Sequence, residues 1–249
     1  MTESFPPVIV LVITYERTNL AVETIRSVKE RLDYPNLGFH IADDGSRPGH
    51  IDRLLEEIGP TYSVSVSNSA RRGVGANMNL GMDRCLERGD FILWLEDDWA
   101  IPRDTRLDLG PCVQALAEVP RIGMVRLGRL SAGLTGTTIA AAGRLWWELE
   151  RGRDTYTFNG NAALRHRRFC ETYGHYQEGL KPGETELSMC ARFNATPGPT
   201  VVWPAWSSQD RLFQHIGDHQ SFKYWMESGG LSGEAAAERF RQMRQEVPA

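Results

Sequence analysis

Residues 91–99, FILWLEDDW, end an apolar run in three consecutive carboxylates, Glu96, Asp97 and Asp98. The run of Phe, Ile, Leu and Trp, with Gly89-Asp90 before it and Pro102 after it, predicts a strand buried on both faces. Carboxylates are costly to bury without a partner, and beyond the carboxyl end of such a strand they face the crevice where α/β sheets bind ligands. A divalent cation answers both conditions, because magnesium or manganese takes one or two carboxylates and fills its other positions with phosphate oxygens. A solvated acidic turn uses the same residue types, so the flanking sequence has to decide between the two. His215, or after it His219, offers a neutral imidazole able to join Asp98 on an ion. Glu184 and Glu186 stand where Pro182-Gly183 opens a helix; acids there can complement the helix dipole, worth ~0.3–1 kcal/mol, or can serve as a base.

The elements that must position these groups alternate. Val8 to Thr14 is a continuous β-branched and leucine run, hence a first buried strand, followed by a helix capped by Thr18 or Asn19, with Leu20, Ile25, Val28 and Leu32 as its apolar stripe. Leu37 to Ala42, Tyr62 to Val66 and Phe91 to Leu95 are further strands, with helices between them that include residues 75–88. Strand and helix alternating at this spacing predict right-handed crossovers and a mostly parallel sheet. Tyr15, Asp43, Asp44 and the Glu96–Asp98 cluster then all follow strand ends and converge on one crevice. In the second half a helix is expected over 108–119, a strand over 122–127, strand or hairpin material over 137–149, a helix after Arg168 ending near Gly174, a helix from Pro182 and a strand over 199–203.

Residues 71–75, RRGVG, open a helix, but Met78 stands where a dinucleotide fingerprint needs its last glycine, which excludes that cofactor site. Backbone amides at such a helix start can still take a phosphate, reinforced by Arg72. The 249 residues carry a formal charge of −4, which argues against a general nucleic-acid binder, although residues 100–170 hold 11 basic against 6 acidic side chains. Lysine occurs only at 29, 181 and 223, a bias towards arginine that suggests a bacterial or bacteriophage genome. The four cysteines are far apart and read as reduced core thiols. No secretory signal or membrane span is evident, and a cytoplasmic protein is expected.

The segments VITYERT, IADDGS, NSARRGVGANMNLGMDRC, GDFILWLEDDW, NGNAALRHRRFCETYGHYQEG, ETELS and HIGDHQS, in that order, resemble the GT-A glycosyltransferases, closest to the inverting family 2. The resemblance implies one catalytic domain over residues 1–249: a nucleotide-sugar half over about 1–99, an acceptor half over about 100–230 and a terminal helix over 231–249. It also implies metal-dependent transfer from a nucleoside-diphosphate sugar, UDP favoured, to a hydroxyl. Tyr15, Asp43 or Asp44, Arg72 and Asn77 would then surround the nucleotide, with Glu96 and Asp97 near the ribose or sugar. Asp98 and His215 would hold Mn2+ or Mg2+, and Glu184 would be the general base. Relatives commonly carry Glu-Asp where this chain has Gly183-Glu184, which admits Glu186 as the base instead, and Met78-Asn79 replaces a frequent Arg-Asn, leaving Arg71 or Arg72 for the diphosphate. The basic run Arg165–Arg168 and Trp146-Trp147 suggest an anionic or aromatic acceptor, such as a phosphorylated or lipid-linked glycan or modified DNA. A nucleotidyltransferase or nucleotide-sugar hydrolase is second, since the G-x-G-x-R loop of the nucleotidyltransferases is missing near the first strand; a non-catalytic nucleotide-sugar or glycan binder is third.

Overall fold

The structure, a computed structural model, describes residues 5–128, 134–152, 157, 162–208 and 211–217. Its strands are β1 (Val8–Thr14), β2 (Leu32–Asp33), β3 (Leu37–Asp43), β4 (Ser63–Asn68), β5 (Phe91–Glu96), β6 (Trp99–Ala100), β7 (Leu107–Asp108), β8 (Ile122–Arg126), β9 (Gly136–Ala141), β10 (Arg144–Leu149), β11 (Ala163–His166), β12 (Thr200–Pro204) and β13 (Gln214–His215). Its helices are α1 (Thr18–Arg31), α2 (His50–Ile58), α3 (Val74–Leu86), α4 (Gly110–Glu118), α5 (Arg167–Tyr173) and α6 (Pro182–Ala195). The expected C-terminal helix over 231–249 and His219 lie outside the described residues.

Nine strands form one mixed sheet in the order β4-β3-β1-β5-β11-β8-β12-β10-β9. The first four are parallel, β11 runs antiparallel between β5 and β8, and β12 returns parallel to β8. All seven residues of β1 are buried because helices cover both faces. Val8, Val10 and Val12 join the core that holds Ile25, Val28 and Leu116, whereas Ile9, Leu11 and Ile13 join the one that holds Met82, Tyr173 and Phe193. The register sets Thr14 opposite Asp43, Asp43 opposite Asn68, and Ile13 opposite Glu96, so the polar strand ends fall on one line. Helix α3 lies so close to the sheet that a Cβ on Gly81 would meet Ala42 Cβ and Leu11 Cδ1, each at 2.8 Å.

One local expectation gives way to tertiary contacts, and an edge strand shows the same priority. Helix α1 starts after Arg17 without a side-chain cap, because the Thr18 hydroxyl is engaged with His50 Nδ1 at 2.7 Å; Ala21 and Val22 are buried where Leu20 was expected. On edge strand β4 the inward positions belong to Ser65 and Ser67, whose hydroxyls bond the two ring nitrogens of buried His40, while Val64 and Val66 are exposed. Satisfying a buried imidazole outweighs burying two valines there. All four cysteines are buried free thiols. Among the described residues no helix is long and apolar enough to cross a membrane.

Candidate active site

Beyond the ends of β1 and β5 the chain assembles a charged cluster. Asp97 and Asp98 are buried. Arg17, the residue just before α1, bridges them: Nη1 donates to Asp98 Oδ2 at 2.6 Å and Nη2 pairs with Asp97 Oδ1. Asp97 also accepts from the Thr14 hydroxyl at 2.9 Å, and its carbonyl accepts from the Thr24 hydroxyl. Buried His50 completes this support, 3.1 Å from the Thr14 hydroxyl. The antiparallel pairing of β13 with β6 sets His215 opposite Trp99, and Ile216 N–H donates to the Asp98 carbonyl. His215 Nε2 thereby comes to 3.2 Å from Asp98 Oδ2.

Burial, then the Glu186 and Asp98 carboxylates, hold Glu96 well above the usual carboxylate range against the pull of Arg17. Burial also pushes Asp97 up to about 6, outweighing its pairing with Arg17. Burial acts to lower the Arg17 pKa, but Asp97, Asp98 and Glu96 together raise it.

A carboxylate oxygen beside an imidazole nitrogen suits a divalent ion such as manganese. Adjacent ligands of an octahedral ion with ~2.1 Å bonds lie about 3 Å apart, and the Asp98 Oδ2 to His215 Nε2 separation is 3.2 Å. Among the described residues no three His, Cys, Asp or Glu side chains are grouped so as to hold a metal by themselves. An ion bound by Asp98 and His215 would therefore draw further ligands from substrate or water, as magnesium usually does.

The loops on the β3 and β4 side make the rest of the rim. Asp43 is buried and spends its oxygens on Gly45 N, Ser46 N, the Ser46 hydroxyl and Asn68 Nδ2, so it shapes the loop. Asp44 is half-buried and ties Gly73 N–H at 3.1 Å and the Ser69 hydroxyl, joining this loop to the start of α3. Asn77 is buried and pins α3 to β3 through Ala42 O at 2.8 Å. The Arg71 guanidinium lies over the Tyr15 ring at 5.1 Å, whereas exposed Arg72 pairs with Glu178 at 2.6 Å. Three of the four non-glycine residues with positive φ among the described residues stand on rim loops, Glu16 after β1 and Ala70 and Arg71 after β4. Strained backbone gathers at sites whose surroundings over-determine it.

On α6 the two candidate glutamates part company. Glu184 turns back on its own helix start, its Oε2 accepting from Lys181 N at 3.4 Å. Glu186, on the opposite side of the turn, is the carboxylate whose charge acts on Glu96.

The family described as Glycosyl transferase family 2 matches residues 9–134, just over half of the chain. The chain belongs to glycosyltransferase family 2. Solved glycosyltransferases share its GT-A fold. The mannosyltransferase PcManGT from Pyrobaculum calidifontis, in complex with GDP-Man and Mn2+, is 17% identical at a TM-score of 0.65, over 99% of this chain and 66% of that one. S. aureus TarS 1–349 in complex with UDP-GlcNAc is 15% identical at 0.60, over 95% and 64%. GalNAc-T7 with UDP, GalNAc and Mn2+ is 16% identical at 0.57, over 99% and 52%. This chain thus spans two thirds or less of those structures. No curated protein matches it in sequence.

The topology of this family 2 glycosyltransferase carries the arginines of the expected acceptor patch away from Glu96. Strand β11 runs antiparallel to β5 with His166 opposite Phe91, so Arg167 and Arg168 lie at the far end of the sheet from Glu96. Arg167 pairs with Asp90 at 2.6 Å, Arg168 donates to Leu116 O and Ile122 O, and buried Arg165 stacks on Trp94 at 3.6 Å. Trp146 is fully buried with its indole N–H on Ala141 O, and Trp147 packs against the core. Sequence reasoning also passed over Arg17, Thr14 and His50. The available signal was an arginine three residues beyond a strand end, in a segment read only as a connection.

Proposed function

We propose that the chain is a metal-dependent, inverting glycosyltransferase acting on a nucleoside-diphosphate sugar, UDP favoured, with a hydroxyl acceptor. The observation that carries this reading is the placement of His215 Nε2 3.2 Å from Asp98 Oδ2, beyond the end of β5. Asp98 and His215 would hold Mn2+ or Mg2+, which when bound supplies positive charge against the leaving diphosphate. The half-buried Tyr15 ring, with Asp44 N–H bonded to the preceding Thr14 carbonyl, offers a place for the base and ribose, and the amides opening α3 offer one for a phosphate. Arg71 rather than Arg72 stands over Tyr15, so Arg71 is the arginine proposed for the diphosphate side.

In the reaction an acceptor oxygen bonds to the anomeric carbon as the bond to the diphosphate breaks, and the acceptor proton passes to a carboxylate. Glu186 is the carboxylate proposed for that role, because Glu184 is committed to its helix start. A single displacement inverts the anomeric centre. The continuous nine-stranded sheet supports one catalytic domain whose nucleotide half ends near residue 99. Calorimetry of UDP, GDP, TDP and their sugars, with manganese and with a chelator, tests the reading together with Glu186→Gln. Metal-dependent donor binding that survives this substitution while transfer is lost supports it; absence of donor binding in every condition overturns it.

A further inference from the structure

We propose that Arg17 is an internal counter-ion that competes with the divalent cation for Asp98, so that its side chain must leave that carboxylate before the donor site is loaded. The inference deepens the metal-dependent reading and rests on it. One oxygen carries the argument: Asp98 Oδ2 accepts from Arg17 Nη1 at 2.6 Å and lies 3.2 Å from His215 Nε2. An ion shared by Asp98 and His215 needs that oxygen, and a guanidinium left within hydrogen-bond distance of it would stand next to a double positive charge. Without the ion, the same guanidinium pairs with both Asp97 and Asp98 and offsets part of the cost of burying the two carboxylates together. The Arg17 side chain is 31% exposed, so it can turn outward without opening the core. Its backbone is fixed between Glu16, held at φ 61°, and the first turn of α1, which assigns the movement to the side chain. Asp97 keeps the Thr14 hydroxyl and the Tyr15 N–H when Arg17 leaves, so the carboxylate pair stays in place.

The test is Mn2+ binding to the full chain without nucleotide, followed by calorimetry and by the loss of the free-ion paramagnetic resonance signal. Arg17→Ala is expected to bind Mn2+ about tenfold more tightly than wild type, within the range usual for coupled sites. Arg17→Lys, which keeps the charge but loses the fork across both carboxylates, should fall between them. Equal or weaker binding by Arg17→Ala, with wild type binding normally, overturns the competition and leaves the metal site standing. No Mn2+ binding by any form overturns both. Should Arg17→Ala fail to fold, the wild-type Arg17 Nε–H resonance, assigned by its absence in Arg17→Lys, decides. It should shift as Mg2+ is added, and an unmoved resonance at saturating Mg2+ refutes the proposal.

Discussion

Replacing Arg168 with Ala separates a structural arginine from one that meets an acceptor. Helix α4 ends just before Pro120, and the carbonyl of Leu116, four residues earlier, has no N–H there to receive. Arg168 fills that gap with both terminal nitrogens and also donates to Ile122 O at 3.3 Å. Hydrogen bonds from a charged group contribute about 1.5–3 kcal/mol each, and water can re-solvate part of this half-buried site. The expected loss is therefore about 2–4 kcal/mol, or roughly 5–12 °C in melting temperature for a chain of this size. Urea denaturation at pH 7.5 measures the first figure and calorimetry the second. Donor affinity, and its dependence on salt, should match wild type. A variant as stable as wild type that shows weaker, less salt-sensitive acceptor use would refute the reasoning and restore the basic run as an acceptor surface.

Further outcomes follow from the same contacts. Gly81→Ala forces a methyl group to 2.8 Å from Ala42 Cβ and should destabilise by about 1–2 kcal/mol net of the better helix propensity, read as a lower urea midpoint. Glu184→Gln should keep most transfer activity, whereas Glu186→Gln should lower kcat at least about 100-fold with donor affinity unchanged; the reverse pattern would make Glu184 the base. Burial drives His40 down to about 4 from 6.5, so the unfolded chain takes up its proton first as pH falls. The stability from neutral His40 is complete above pH 6.5 and is lost between 6.5 and about 4, by about 2 kcal/mol at pH 5. Asp97, raised to about 6, acts in the opposite sense over the same interval. The diagnostic is therefore the difference between wild type and His40→Gln, which should shrink on acidification from pH 7 to 5 and refutes the burial argument if it stays constant.

What the sequence made legible follows from how local each signal was. The β1 run needed no partner to be recognised, since seven apolar and β-branched residues specify a doubly buried strand, and its bounds agree with the fold. The position of Glu96–Asp98 at the carboxyl end of β5 was equally local. Register was not, because it depends on pairings across the chain. Only the antiparallel run of β11 shows that Arg167 and Arg168 lie at the wrong end of the sheet, and nothing in RHRR carries strand direction. The Glu184 and Glu186 ambiguity is of the same kind: two residues apart on a helix point oppositely, and which one faces Glu96 depends on how α6 docks. The bridge by Arg17 requires β1 to lie beside β5, a pairing between residues more than eighty apart. His215 reached Asp98 through a two-residue strand too short to leave a pattern.

The central claim is that Asp98 and His215 hold the ion through which a sugar nucleotide binds. Calorimetric titration of UDP and GDP into wild type and Asp98→Asn, each with manganese and with a chelator, tests it most directly. Wild type should bind one nucleotide with manganese and lose it with chelator, and Asp98→Asn should bind poorly in both. Binding of equal strength with and without metal, or an Asp98→Asn variant indistinguishable from wild type, would contradict it.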